Sequence, residues 1–168
     1  MDKLLKIDRR IIFIFVALAV TIPLLFRFKM AVPPTRHVKS MYEKIDSLSE
    51  DSHVLISFDY DPSSKEELQP MAVALLHHCF KKDIKVIGMT LYPAGTGLAE
   101  KAIKDIGEEY GKKSGEDYVF LGFKAGSSLV IMNMGEDIYT AFQEDFYGKK
   151  TLGMQALRGV SSLRDIDY

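Results

Sequence analysis

Three short runs of apolar residues recur along the chain, each with a helix-patterned stretch behind it: HVLISF (53–58), IKVIGMTLY (84–92) and DYVFLGFK (117–124). Runs this continuous lack the apolar–polar alternation of a half-exposed strand and read as strands buried on both faces. The stretches that follow are KEELQPMAVALLHHCFKK, TGLAEKAIKDIGEEYGKK and SSLVIMNMGEDIYTAFQEDF. Strands separated by helices at this spacing connect through right-handed crossovers, which implies a parallel sheet covered on both sides. The predicted fold is therefore α/β, three-layer and Rossmann-like. Three strands make a thin sheet, and LRGVSSLRDIDY stops where another strand is expected. The sheet is accordingly read as incomplete and the chain as truncated at its C-terminus.

The first of these helices is predicted to begin near Pro70, which suits a first turn. A start at Ser64, although Glu67 lies at capping-box spacing, would place Pro70 too deep. Met71, Leu75 and Cys79, flanked by Ala72, Leu76 and Phe80, then form its core stripe. In the second helix Thr96 is the expected cap, with Leu98, Ala102, Ile103, Ile106 and Tyr110 inward. The third region is read as helical with an interruption near Gly135. Upstream, the stiff Pro33-Pro34 pair precedes an amphipathic helix capped by Thr35, whose apolar positions are Val38, Met41, Tyr42, Ile45 and Leu48. It is expected to pack on the domain.

The N-terminal IIFIFVALAVTIPLLF (11–26) carries no charge and is predicted to form a transmembrane anchor over 11–28. A basic tail (1–10) precedes it; a linker with the juxtamembrane helix (29–52) and the α/β domain (53–168) follow. At about 1.5 Å per residue the run is short of a ~30 Å hydrocarbon core. Arg10 and Arg27, with Phe28, Met30 and Val32, are expected to extend it. An anchor is preferred to a leader cleaved after Ala17-Leu18-Ala19, because only residues 11–16 would then form its apolar region. Basic side chains balance across the segment, four on each side, and the terminal amine tips the domain to the extracytoplasmic face. The expected localisation is thus a single-pass membrane protein, with the membrane and other membrane proteins as partners.

Most of the chain is mildly acidic, since six of its 22 Lys/Arg fall within residues 1–29. That excludes the basic face a nucleic-acid partner requires. Cys79 is the only cysteine and sits in an apolar helical stretch, as a structural thiol does.

Ligands of open parallel sheets bind beyond the carboxyl ends of the strands. Here those ends are DYDPSS, PAGTG and KAGSS. The candidate ligand-binding residues are Asp59, Asp61, Ser63, Ser64, Gly95, Thr96, Gly97, Lys124, Gly126 and Ser127. Backbone N–H groups, helix N-termini and hydroxyls on one rim suit a phosphate, a carboxylate or another small polar molecule. The plain alternative is that such turns simply favour Gly, Ser and Pro. GTGLAE has Glu100 where a dinucleotide fingerprint has its third glycine, and reads as a turn with a cap. His77 and His78 point about 100° apart on a helix and cannot share a metal, so no metal site is expected. A nucleophile at Ser127 or Ser128 would lack an identifiable base.

Asp59-x-Asp61 at a strand end resembles the first motif of haloacid-dehalogenase-like phosphatases. The resemblance implies Asp59 as nucleophile, Asp61 as general acid and a bridging magnesium. It also nominates Thr90 for the second motif, Lys124 for the lysine, and Asp165 with Asp167 for the later acids. Pro62-Ser63 departs from the Gly-Thr usual after the second Asp. Over nearly the whole chain, SFDYDP…QPMAVALL, YVFLGFKAG and LRGVSSLRDID resemble a group of bacterial membrane-associated α/β proteins to which no activity is assigned. That resemblance implies further strands and a second apolar segment, and supplies no catalytic residues. The expected function is a tethered domain that binds a partner or small polar ligand at the strand C-terminal edge, within a membrane assembly. The alternative is a magnesium-dependent phosphatase or phosphotransferase.

Overall fold

The computed structural model describes residues 8–25 and 33–168, which fall into two compact units divided between Arg36 and His37. In the first, helix α1 (Arg9–Leu25) contains Pro23 and buries none of its residues. Its 17 residues reach about 26 Å, and its apolar part, from Ile11 onward, about 22 Å. Among the described residues no helix is long and apolar enough to cross a membrane. The anchor expected over 11–28, the single-pass membrane localisation and the extracytoplasmic placement built on it are therefore not supported. The uncharged run is a few residues too short, and the positions invoked to lengthen it (Arg27, Phe28, Met30, Val32) lie outside the described residues.

The second unit opens at His37, within α2 (Arg36–Asp46), which seats Ile45 in the core; Met41 and, just past the helix, Leu48 pack against it. Strands β1 (His53–Ser57), β2 (Lys85–Thr90) and β3 (Tyr118–Phe123) form one sheet in the order β1-β2-β3. Both pairings are parallel, with Val54 opposite Val86 and Ile87 opposite Val119. Helices α3 (Lys65–Lys81) and α4 (Thr96–Glu109) make the crossovers and pack on each other. β2 and β3 are apolar on both sides because both sides are covered, whereas the second face of β1, His53, Leu55 and Ser57, is only partly covered. Val54, Ile56, Phe58, Val86 and Phe120 meet the helices α2 to α4. Ile87, Met89, Val119 and Leu121 meet α5 (Ser127–Glu136), α6 (Ile138–Ala141) and the irregular segment with Ala156, Leu157 and Val160. The mixed α/β class and the parallel three-stranded sheet are thus as the sequence predicts. Beside the outer edge of β1, Asp167 N–H donates to the His53 carbonyl (3.0 Å) and Leu55 N–H to the Tyr168 carbonyl (2.8 Å).

Two helix boundaries differ from expectation. Helix α3 starts at Lys65 and carries Pro70 inside it. The lost bond concerns only the carbonyl of Glu66, an exposed residue whose carbonyl water can satisfy. The start set aside above is thus the one adopted, with Ser64 at the N-cap position, although its hydroxyl caps nothing and donates to Asp61 instead. Met71 is turned outward, 58% exposed, while Leu76, Cys79 and Phe80 fill the core. After β3 the helical reading runs too far. Asp137 ends α5 and caps α6 by accepting from Tyr139 N–H (2.9 Å). Residues 143–151 then form a tight antiparallel loop, closed by Thr151 N–H to Gln143 O (3.0 Å) and Asp145 N–H to Lys149 O (2.8 Å). Gly148 turns it with φ +77°.

Candidate functional site

Because the strands are parallel, their three exits meet along one rim, and the exits of β1 and β2 are stitched together there. Buried Thr90 donates its hydroxyl to the Phe58 carbonyl (2.9 Å) and accepts from Tyr92 N–H (3.0 Å). Asp59 accepts from Leu91 N–H through Oδ1 (2.7 Å) and from the Ser57 hydroxyl through Oδ2 (2.7 Å). Asp61 Oδ1 accepts from the backbone N–H groups of Ser63 (2.9 Å) and Ser64 (3.0 Å) and from the Ser63 hydroxyl (2.6 Å). These donors, the Ser63 hydroxyl foremost, hold its carboxyl down at about 2. Asp61 thus organises the turn into α3, and the hydroxyls of Ser63 and Ser64 both serve it.

The β2 exit closes on the β1 exit through Gly95. A Cβ at that position would lie 2.1 Å from the Tyr60 carbonyl oxygen, so only glycine allows the two loops to touch. Thr96 is the first residue of α4 rather than its cap, and its hydroxyl donates back to the Pro93 carbonyl (2.9 Å). Gly97 meets nothing within 4 Å of where its Cβ would stand.

The exit of β3 is built differently. Lys124 N–H reaches the Thr90 carbonyl (3.4 Å), which ties this exit to that of β2. Gly126 holds a left-handed conformation (φ +84°) at the start of α5, followed by Ser127. Between residues 121–125 and 142–146 lies a cleft of about 600 Å³, floored by Leu121 and Phe142. The Lys124 ammonium donates to the Ala141 carbonyl and stands 5.3 Å from the centre of the Phe142 ring. Phe146 packs on Phe120 (ring centres 5.4 Å apart) and against Gly122, and its N–H donates to the Phe120 carbonyl (2.9 Å). Gln143, Glu144 and Asp145 complete the wall.

Asp145 was not among the sequence candidates, and neither were Gln143, Glu144 or Phe146, because residues 127–146 read as helical. The signal lay in DFYGKK, an Asp three residues before a Gly, which is turn chemistry. Asp145 Oδ1 accepts from the N–H groups of Tyr147 (2.9 Å) and Lys149 (2.8 Å). The residue is only 6% exposed. Its Oδ2 is buried with no hydrogen-bond partner among the described residues.

The residues nominated through the phosphatase resemblance do not assemble. Thr90 Oγ1 stands 3.4 Å from Asp59 Oδ1, but the Lys124 ammonium is turned to Ala141. Asp165 accepts from the N–H groups of Ser161 (2.9 Å) and Ser162 (2.8 Å) and from the Ser161 hydroxyl, which lowers its carboxyl to about 2. Asp167 accepts from His53 N–H (2.8 Å), at the opposite end of β1 from Asp59 and roughly 20 Å along the strand.

Of the histidines, His78 stacks on Tyr42 (4.4 Å) and His77 Nδ1 lies 3.2 Å from the Tyr110 hydroxyl. Among the described residues no group of three or more His, Cys, Asp or Glu is placed to hold a metal ion. Cys79 is fully buried, and burial pushes its thiol up to about 12, the property of a packing residue. A smaller apolar depression between α2 and α3, about 210 Å³, is lined by Met41, Tyr42, Met71 and His78. No protein-family model, curated protein or solved structure matches this chain.

Proposed function

We propose that the α/β unit is a binding domain that takes a small polar ligand at the C-terminal rim of its parallel strands, in the cleft at the end of β3. The observation that carries this reading is the contrast along the rim. After β1 and β2, Asp59 and Thr90 are committed to joining the loops and Asp61 to organising its own turn, whereas the β3 exit borders a cleft of about 600 Å³. That volume lies within the usual range of small-molecule sites, and such sites combine apolar walls with a few convergent polar groups. Phe123 and Phe146 supply the walls; Lys124, Gln143, Glu144 and Asp145 supply the polar groups.

An amide NMR titration of the full chain tests the reading, with inorganic phosphate, acetate, methylamine and glycine as separate probes. At least one probe is expected to move the signals of Gly122–Ala125 and Gln143–Phe146 while leaving Tyr60–Ser64 in place. Shifts confined to Tyr60–Ser64 would move the site to the β1 exit. No shift with any probe at millimolar concentration would end the proposal.

A further inference from the structure

The chemistry of the cleft narrows the ligand, on the premise that the cleft at the end of β3 is the binding site. Two opposite charges line it, each with unused bonding capacity. The Lys124 ammonium has three N–H donors and gives one to the Ala141 carbonyl. Its position over the Phe142 ring fixes it at the floor. On the facing wall, Asp145 is held rigidly by the two backbone N–H groups on Oδ1, and its second oxygen is left bare. A buried carboxylate oxygen without a donor is costly and rare in folded proteins. A cation or N–H donor settling beside Asp145 would relieve that deficit. Glu144 lies next to it on the same wall, and Lys149 and Lys150 lie across the loop, so the neighbourhood is not uniformly acidic. A purely cationic ligand would meet Lys124, and a purely anionic one would meet Asp145 and Glu144. Phe123 and Phe146, 38% and 44% exposed, offer apolar surface beside these charges.

We infer that the cleft accommodates an amphoteric molecule of the amino-acid class, its carboxylate toward Lys124, its ammonium toward Asp145 and Glu144, and an apolar side chain along Phe123 and Phe146. Charge-assisted hydrogen bonds at both ends would give such a molecule an advantage over a relative that carries only one of the two charges.

Calorimetric titration of the full chain with three probes of one shape tests this. L-phenylalanine carries both charges, 3-phenylpropionate only the negative one and phenethylamine only the positive one. L-phenylalanine is expected to bind about tenfold more tightly than either relative. Lys124→Met should remove that advantage over phenethylamine, and Asp145→Asn the advantage over 3-phenylpropionate. Asparagine keeps an acceptor for Tyr147 and Lys149. Lys124→Met lies outside the loop and remains informative if the loop variant misfolds. Equal binding of L-phenylalanine and either single-charge probe would overturn the inference and leave the cleft as a simple cation or anion site. Binding of inorganic phosphate without L-phenylalanine would do the same. No binding by any of these probes would remove the cleft reading together with the inference.

Discussion

The joined exits of β1 and β2 and the open exit of β3 lie on one rim of one parallel sheet, yet they use their polar residues in opposite ways. At the first two exits every conspicuous side chain is a connector. Asp59 joins Ser57 to Leu91, Thr90 joins Phe58 to Tyr92, Asp61 organises the turn at Ser63 and Ser64, and Gly95 lets the loops touch. At the third exit the conspicuous groups border space, and one carboxylate oxygen is left without a partner. Residue types alone do not distinguish the two cases. A carboxylate is available to a ligand only through an oxygen that the neighbouring N–H and O–H groups leave unclaimed.

The largest expected effect that would break this comparison comes from Gly95→Ala. The added methyl would lie 2.1 Å from the backbone oxygen of Tyr60, so the loops must part. Overpacking against a backbone atom that cannot yield predicts a loss of roughly 3 kcal/mol, read by chemical denaturation. A loss near zero would show that the two exits are not in contact. Asp59→Ala comes next. It leaves Leu91 N–H and the Ser57 hydroxyl without their acceptor and should cost about 1 kcal/mol in the same measurement. It should leave the cleft's response to L-phenylalanine unchanged, whereas a matching loss of binding would join the exits functionally. Gly97→Ala sharpens the contrast from the other side. Two residues from Gly95, inside α4 and with open space at its Cβ, it should stabilise by about 0.5–1 kcal/mol.

The smallest effect is acid-dependent. The carboxyl of Asp61 is lowered from 3.8 to about 2 in the folded chain. As the pH falls below 3.8 the unfolded chain takes up the proton first, so the contribution of Asp61 to stability is present above that pH and fades between about pH 4 and pH 2. The turn at Ser63 and Ser64 should loosen over that window, seen as faster amide exchange at those residues. In Asp61→Asn, which cannot titrate, that part of the pH dependence should vanish.

The order of strands and helices was legible because the three apolar runs are too continuous for any surface strand and too short for helices. Boundaries were legible only where a residue's own chemistry sets them. The interruption expected near Gly135 falls at Asp137, but Pro70, read as too deep for a start at Ser64, is tolerated six residues into α3, and the helical reading of 127–146 runs into the loop that Gly148 turns. The N-terminal run shows the limit of composition. Its apolar character is plain in the sequence, yet among the described residues its helix, Arg9–Leu25, falls short of a membrane crossing. Among the site residues, Lys124 was foreseen as part of the β3 exit. Asp145, Gln143, Glu144 and Phe146 were not, because they reach the rim from a loop about twenty residues later in the chain.

The sequence by itself determined the α/β class, the parallel direction of the strands and the rim on which their exits lie, since buried runs joined by helices allow little else. Only the tertiary structure decided which polar residues remain available. Hydrogen bonding is competitive and local in space rather than in sequence. Leu91 N–H, from the neighbouring loop, claims Asp59, the N–H groups of its own turn claim one oxygen of Asp61, and Asp145, in the wall of the cleft, keeps one buried oxygen unclaimed.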